Sequence, residues 1–130
     1  MKSSFRFRID LGGFWEFKLD PRNEGEAKEW FRGFDDGEPI YVPSSWNEQN
    51  PSWDKYAGIA WYQRRFYVPK ELEGKTPWLV FKGAGYHAKV WLNGVLLGEH
   101  EGSFTEFRFD ASKALKAGDW NLLVVRIDNR

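Results

Sequence analysis

The chain has 130 residues, 18% of them aromatic, and its 19 Lys and Arg balance 19 Asp and Glu. This length predicts one domain, residues 1–130, and the even charge argues against nucleic acid or an anionic membrane as a partner. The absence of cysteine excludes a disulfide scaffold, a thiolate metal site and a cysteine nucleophile. The first residues lack the apolar run of a signal peptide, and no segment approaches the about 18 apolar residues of a membrane span, so we expect a cytoplasmic protein.

Alternation of apolar and other residues, typical of a strand with one buried face, begins at the N-terminus. In "FRFRIDL" it places four apolar side chains on one face: Phe5, Phe7, Ile9 and Leu11. After Gly12-Gly13 it resumes in "FWEFKLD", with three side chains predicted inward: Trp15, Phe17 and Leu19. Three others are predicted outward: Glu16, Lys18 and Asp20. Asp20-Pro21 then predicts a turn.

The next forty residues contain few regular elements. "GEAKEWFRGF" predicts one short helical turn closed by Gly33, and "EPIYVP" predicts a strand between prolines. Residues 44–60 follow neither period, so we predict a long loop, which in a compact domain is usually functional or disordered. Its large aromatic residues argue against disorder.

The second half of the chain is predicted to form strands separated by turns. The segments are "WYQRRFYVP", "PWLVFKG", "YHAKVWLNG", "VLLGEHEG", "TEFRFD" and "WNLLVVRIDN". Asn93-Gly94 suits the two positive-φ positions of a type I′ hairpin. "DASKALKAGD" predicts a second helical turn, with Asp110 or Ser112 as N-cap and Gly118 after its end. About nine antiparallel strands and two short helical turns predict an all-β jelly-roll β-sandwich.

Gly83-x-Gly85-x-x-Ala88 fits a relaxed dinucleotide-binding pattern, which requires a helix directly after the glycines. The residues that follow instead alternate with a period of two into the Asn93-Gly94 turn. A strand offers no convergent N–H groups to a pyrophosphate. We therefore predict a glycine-kinked corner between strands and no cofactor.

"GEHEG" places His100 between two glutamates and raises the question of a metal site. In an extended segment Glu99 and Glu101 point away from His100, and zinc needs at least three convergent ligands. We therefore predict no metal and interpret His100 as a hydrogen-bonded turn residue.

Arg64 shares a predicted strand face with apolar residues, among them Phe66 and Val68. A buried guanidinium without a partner would cost several kcal/mol, so Arg64 should have a carboxylate or carbonyl partner. Two interpretations remain open, a structural ion pair and a site for an anionic ligand.

The best candidate for a binding surface is a group of aromatic residues in and beside the long loop. Its members are Trp46, Trp53, Tyr56, Trp61 and Tyr62. Flat aromatic rings are suitable platforms for the C–H faces of sugars. Structural anchoring is the alternative, because burying one Trp stabilises a fold by up to about 5 kcal/mol.

Five stretches, in order and spacing, resemble the N-terminal domain of glycoside hydrolase family 2, nearest its β-glucuronidase branch. They are "GGFWEFKLD", "VPSSWNEQ", "YAGIAWYQRRFYVP", "HAKVWLNGVLLGEHEGSFTEFRFD" and "NLLVVRIDN". The resemblance implies a galactose-binding-like jelly roll, called the sugar-binding domain. It also implies that the catalytic glutamates lie on a separate barrel, reached through an immunoglobulin-like domain, so no catalytic residue is assigned here. Those two domains would be the natural partners.

Three functional hypotheses follow. The first is a non-catalytic, carbohydrate-binding-type domain that contacts sugar weakly through the aromatic loop. The second is a structural or scaffold domain without measurable sugar affinity, and the third is a small complete hydrolase. The charge balance and the polar outward faces suit an excised domain that stands alone as a monomer, with redesign for that purpose as an open alternative.

Overall fold

The computed structural model describes residues 8–43, 49–53, 55–82, 87–102 and 106–130. These ranges contain eight strands: β1 (Gly13–Leu19), β2 (Glu38–Val42), β3 (Ile59–Val68), β4 (Trp78–Lys82), β5 (His87–Leu92), β6 (Val95–Glu101), β7 (Glu106–Asp110) and β8 (Asp119–Asp128). They also contain three short 3₁₀ segments: Trp30–Arg32, Pro51–Trp53 and Lys70–Leu72. No helix within the described ranges is long and apolar enough to cross a membrane.

The strands form two antiparallel sheets. The larger has the order β2-β1-β3-β8-β5-β6, and the smaller pairs β4 with β7. Apolar side chains between the sheets form the main core, with Trp15, Phe17 and Val90 from the large sheet and Phe107 from the small one. The predicted β-sandwich is confirmed.

The other face of the large sheet, here called the outer face, is only partly covered. The connection from residue 20 to residue 37 crosses it and buries a second apolar cluster that includes Phe34, Trp61, Trp91 and Val124. The amide of Gln63 fixes this connection: it donates to the carbonyl of Phe34 at 2.8 Å and accepts from the Phe34 N–H at 3.0 Å. The sheet is therefore covered on both faces over part of its width.

The predicted hairpin between β5 and β6 is present, with Asn93 at φ 52° and Gly94 at φ 81°. The side chain of Asn93 donates to the Ala114 carbonyl at 2.8 Å and to Asn121 Oδ1 at 2.9 Å, and it accepts from the Leu122 N–H at 2.9 Å. These bonds hold the tip of the hairpin against the connection between β7 and β8.

Of three local expectations, two differ from the structure and one is confirmed. Most of the predicted first strand, including Phe5 and Phe7, lies outside the described residues; residues 8–12 form no strand, and Ile9 is 42% exposed. The second helical turn is present: the N–H of Leu115 bonds to the Ala111 carbonyl at 2.9 Å, Asp110 Oδ1 accepts from the Ser112 N–H at 2.9 Å, and Gly118 has φ 71°. His100 lies in β6, where its ring stacks on Phe107 at 4.2 Å, because the strand continues to Glu101.

The segment after the Gly83-x-Gly85 pattern is strand β5, as predicted, and Ala88 is buried within it. Gly83 and Gly85 themselves lie outside the described residues. Without a helix after the glycines, the dinucleotide-binding interpretation has no structural support.

Candidate functional site

The aromatic residues proposed from the sequence do not form one surface. Trp46 lies outside the described residues. Trp53 is buried in the main core, where its ring lies 4.7 Å from that of Phe17. The ring of Tyr62 meets Phe17 from another side at 4.9 Å. Trp53 and Tyr62 thus share a neighbour on the inner face of the large sheet.

Trp61 lies on the opposite face, because consecutive residues of a strand point to opposite sides. Its side chain is fully buried: it stacks on Trp91 at 5.2 Å and meets Trp30 edge to face at 5.9 Å. A ring without accessible surface cannot touch a ligand in this conformation. Packing therefore accounts for Trp61, and also for the buried Trp53.

Tyr56 and Tyr62 keep part of their surface exposed. The hydroxyl of Tyr56 donates to the carbonyl of Ile59 at 2.6 Å, which ties the loop to the start of β3. Burial raises the pKa of Tyr56, and burial also raises the pKa of Tyr62. Both phenols are therefore neutral at physiological pH, and the carbohydrate-binding role assigned to the five aromatic residues remains a prediction.

Asp20, predicted to point outward, is 1% exposed. Its carboxylate accepts three hydrogen bonds, from the N–H of Glu24 at 2.8 Å, the N–H of Gly25 at 3.0 Å and Trp61 Nε1 at 2.9 Å. Its side chain keeps the outward direction of the alternation, since it reaches Trp61 on the outer face. It is buried because the connection of residues 20–37 covers that face. The Asp20-Pro21 pair predicts a turn, but it does not indicate that the Asp20 carboxylate is a buried hydrogen-bond acceptor.

Arg64 is half-buried and has the carbonyl partner that the sequence predicts. Its Nη1 donates to the Phe14 carbonyl at 3.3 Å, which links β3 to the start of β1. Its buried Nε has no hydrogen-bond partner among the described residues. The contact favours a structural role over an anion site.

Charged side chains line the outer face at the β5 side of the sheet. Lys89 lies 2.9 Å from Glu26 and 3.7 Å from Glu99, and Glu99 also contacts His87 at 3.1 Å. The buried Arg126 lies 3.8 Å from Glu26. Within the described ranges, no three His, Cys, Asp or Glu side chains are placed to hold a metal ion. These residues pair with one another and do not converge on a reaction centre.

An open depression of about 480 Å³ lies at the strand ends beside His87, Glu101 and Asp128. Asp128 is fixed by Arg130, whose Nη2 lies 2.7 Å from its Oδ2. Hydrogen bonds from the Arg130 side chain lower the pKa of Asp128 to about 2. The depression is open, and of its two carboxylates, Glu101 and Asp128, the second is held by Arg130. Glycoside hydrolysis requires two carboxylates that face each other across an enclosing sugar cleft.

Comparison with known proteins fits this arrangement. The sequence profile described as "Glycosyl hydrolases family 2, sugar binding domain" matches residues 8–129. The chain is 34% identical over 123 residues to a β-glucuronidase of Paenibacillus borealis, covering 92% of this chain and 21% of that protein. It is 34% identical over 129 residues to the β-glucuronidase of Canis lupus familiaris, covering 90% of this chain and 20% of that protein.

Among solved structures, the β-glucuronidase of Ruminococcus gnavus in complex with D-glucuronic acid superposes with a TM-score of 0.93 at 32% sequence identity. The match covers 99% of this chain and 23% of that one. The chain thus spans about a fifth of the length of the relatives it matches. The matched part is the sugar-binding domain, so these 130 residues are not enzymatic by themselves. The chain belongs to glycoside hydrolase family 2, within which it is a β-glucuronidase-like, N-terminal sugar-binding domain.

Proposed function

We propose that this chain is the non-catalytic domain of a β-glucuronidase-like glycosidase and that it contacts carbohydrate weakly, leaving bond cleavage to another domain. The observation that carries the proposal is the superposition on the Ruminococcus gnavus β-glucuronidase over 99% of the chain. The closed packing of the sheets adds support, because the described residues leave no deep cleft in which a glycosidic bond could be enclosed.

A scaffold role without sugar affinity is the second candidate. It is favoured by the burial of Trp53 and Trp61, since two of the aromatic residues expected to face a ligand are occupied in packing. In that case the natural partners are the immunoglobulin-like and barrel domains implied by the family.

Sugar titration separates the two candidates. The ¹⁵N-labelled chain would be titrated with glucuronides, galactosides and oligosaccharides into the millimolar range while its amide and indole N–H signals are recorded. Saturable shifts are expected for a carbohydrate-contacting domain. Their absence with every sugar would leave the scaffold role.

Two controls complete the test. The pure chain should not release the chromophore from a chromogenic glycoside; turnover abolished by a single Glu→Gln change would overturn the non-catalytic assignment.

The proposal also includes a stand-alone monomer. Light scattering at rising protein concentration should therefore give a constant mass, and concentration-dependent dimers would contradict it.

A further inference from the structure

The part of the outer face that no described segment covers carries four exposed aromatic rings, which we call the aromatic strip. They are Phe14 (70% exposed), Tyr41 (50%), Tyr67 (47%) and Trp120 (62%). They come from four adjacent strands, in the order β2, β1, β3 and β8. Most solvent-facing positions of an antiparallel sheet are polar, so a row of four aromatic residues there calls for an explanation.

Strand register brings the rings together. Phe14 lies opposite Tyr41, with ring centroids 5.5 Å apart, and Tyr67 lies opposite Trp120, with centroids 5.7 Å apart. Because Glu16 pairs with Gln63, continuing that register places Phe14 beside Arg65, two residues before Tyr67. At about 4.8 Å between strands and 3.3 Å per residue, the two aromatic pairs are roughly 8 Å apart. The strip therefore runs diagonally across four strands.

Polar side chains lie beside the Phe14–Tyr41 pair: Arg65 neighbours Phe14 in the continued register, and Glu16 lies two residues along β1 on the side away from Tyr67. Arg65 projects from the same face and its Nη1 lies 3.4 Å from Glu16 Oε1, with both side chains about half exposed. This ion pair offers N–H donors and carboxylate acceptors along the edge of the Phe14–Tyr41 pair. Flat rings with hydrogen-bonding groups beside them suit a ligand with apolar C–H faces and hydroxyl edges.

The size of the strip argues for a small ligand over a second copy of the chain. With 47–70% of each residue exposed, and about 150–250 Å² per aromatic side chain, the four residues present on the order of 450 Å². A standard protein interface needs about 800 Å² per partner. An apolar protein surface would also bury the Arg65–Glu16 pair and remove its water, whereas hydroxyl groups could replace that water.

We propose that the aromatic strip is an oligosaccharide-binding surface, with sugar rings on the two aromatic pairs and hydroxyl groups on Arg65 and Glu16. This inference rests on the proposed function. It places the contact with sugar on the aromatic strip and not on the long loop, where the sequence predicted it. None of the four aromatic residues of the strip was among the candidate site residues predicted from the sequence.

The test uses the full chain, ¹⁵N-labelled, with two probes: cellohexaose, which is uncharged, and a hyaluronan octasaccharide, which carries uronate groups. At millimolar concentrations at least one probe should produce saturable shifts in the Trp120 indole N–H and in the amides of Phe14 and Tyr67. Phe14→Ser and Trp120→Ser should each weaken that binding about three- to tenfold. Arg65→Met should weaken it as well.

Trp78→Ser is the matched control, because Trp78 is 54% exposed but lies on β4 of the other sheet. It should leave binding unchanged. Since all these side chains are exposed, thermal unfolding should show that each variant remains folded.

The possible outcomes are distinct. If the shifts are confined to the loop around Tyr56 and the signals of the strip do not change, the strip is not the binding surface. The proposed function would then still stand. No saturable shift with either probe, or with any sugar of the earlier titration, would overturn both. Shifts of strip signals that follow protein concentration in the absence of sugar would assign the strip to self-association and overturn the inference.

Discussion

The two parts of the outer face carry the same kinds of side chain with opposite exposure. Under the connection of residues 20–37, Trp61 has no accessible surface, whereas Trp120 on the neighbouring strand β8 is 62% exposed. Both lie on the same side of the same sheet. The difference arises from what crosses the sheet: Asp20 and Gln63 fix the connection above Trp61, and the structure describes no comparable segment above Trp120. An aromatic residue on a strand is thus a core residue or a surface residue according to the loop that covers it.

The largest expected effect comes from the two tryptophans themselves. Trp61→Ala should lower the free energy of unfolding by about 3–5 kcal/mol, because it leaves a cavity between Trp30 and Trp91. Trp120→Ala should change it by less than about 0.5 kcal/mol. Urea unfolding followed by circular dichroism measures both. Equal losses would show that the covered and open parts do not differ in packing.

The next effect concerns the carboxylate that fixes the covering connection. Asp20→Ala leaves two backbone N–H groups and Trp61 Nε1 without their buried acceptor, and should cost about 3 kcal/mol. Asp119→Ala is the control: its carboxylate accepts only the exposed N–H of Trp120 at 2.7 Å among the described contacts, so the loss should be about 0.5 kcal/mol. A cost for Asp20→Ala no larger than that of the control would contradict the anchoring role.

A steric test probes how closely the connection approaches the sheet. A Cβ added at Gly25 would lie 2.5 Å from Trp61 Nε1 and 2.7 Å from Trp30 Cε3. Gly25→Ala should therefore destabilise the fold by about 2 kcal/mol and shift the Trp61 indole N–H signal. At Gly74 nothing lies within 4 Å, so Gly74→Ala should cost only the strain of its positive φ, about 1 kcal/mol. Unchanged indole signals in Gly25→Ala would show that the connection has room to move.

The smallest effect is a pH dependence at the strand ends. Because the folded pKa of Asp128 is lowered to about 2, its contribution to stability is present above its ordinary pKa near 3.8 and is lost as pH falls toward 2. Arg130 is largely exposed, so Arg130→Gln should lower the stability of the fold only slightly at neutral pH. The difference from the parent chain should shrink at pH ~3. A difference that grows on acidification would contradict the assigned direction.

Much of the fold could be predicted from the sequence, because alternation within a strand is a local property. Trp15 and Phe17 are buried as the period-two pattern predicts, and Asn93-Gly94 forms the expected hairpin. The site could not be predicted in the same way. Nothing local to Trp61 indicates that residues 20–37 cover it, and nothing local to Asp20 indicates that the same connection buries its carboxylate. Coverage of a sheet face depends on contacts between distant segments, and the aromatic strip became visible only when strand order placed its four residues side by side.

The hydrogen bonds of the Asn93 side chain limit where this domain could be engineered. Loop tips are commonly chosen for inserting a peptide or for opening new chain ends, but the β5–β6 tip is bonded to Ala114, Asn121 and Leu122. An epitope spliced between Asn93 and Gly94 would disturb three strands together. The turn at Gly74, where an added Cβ would meet no atom within 4 Å, is the better graft point.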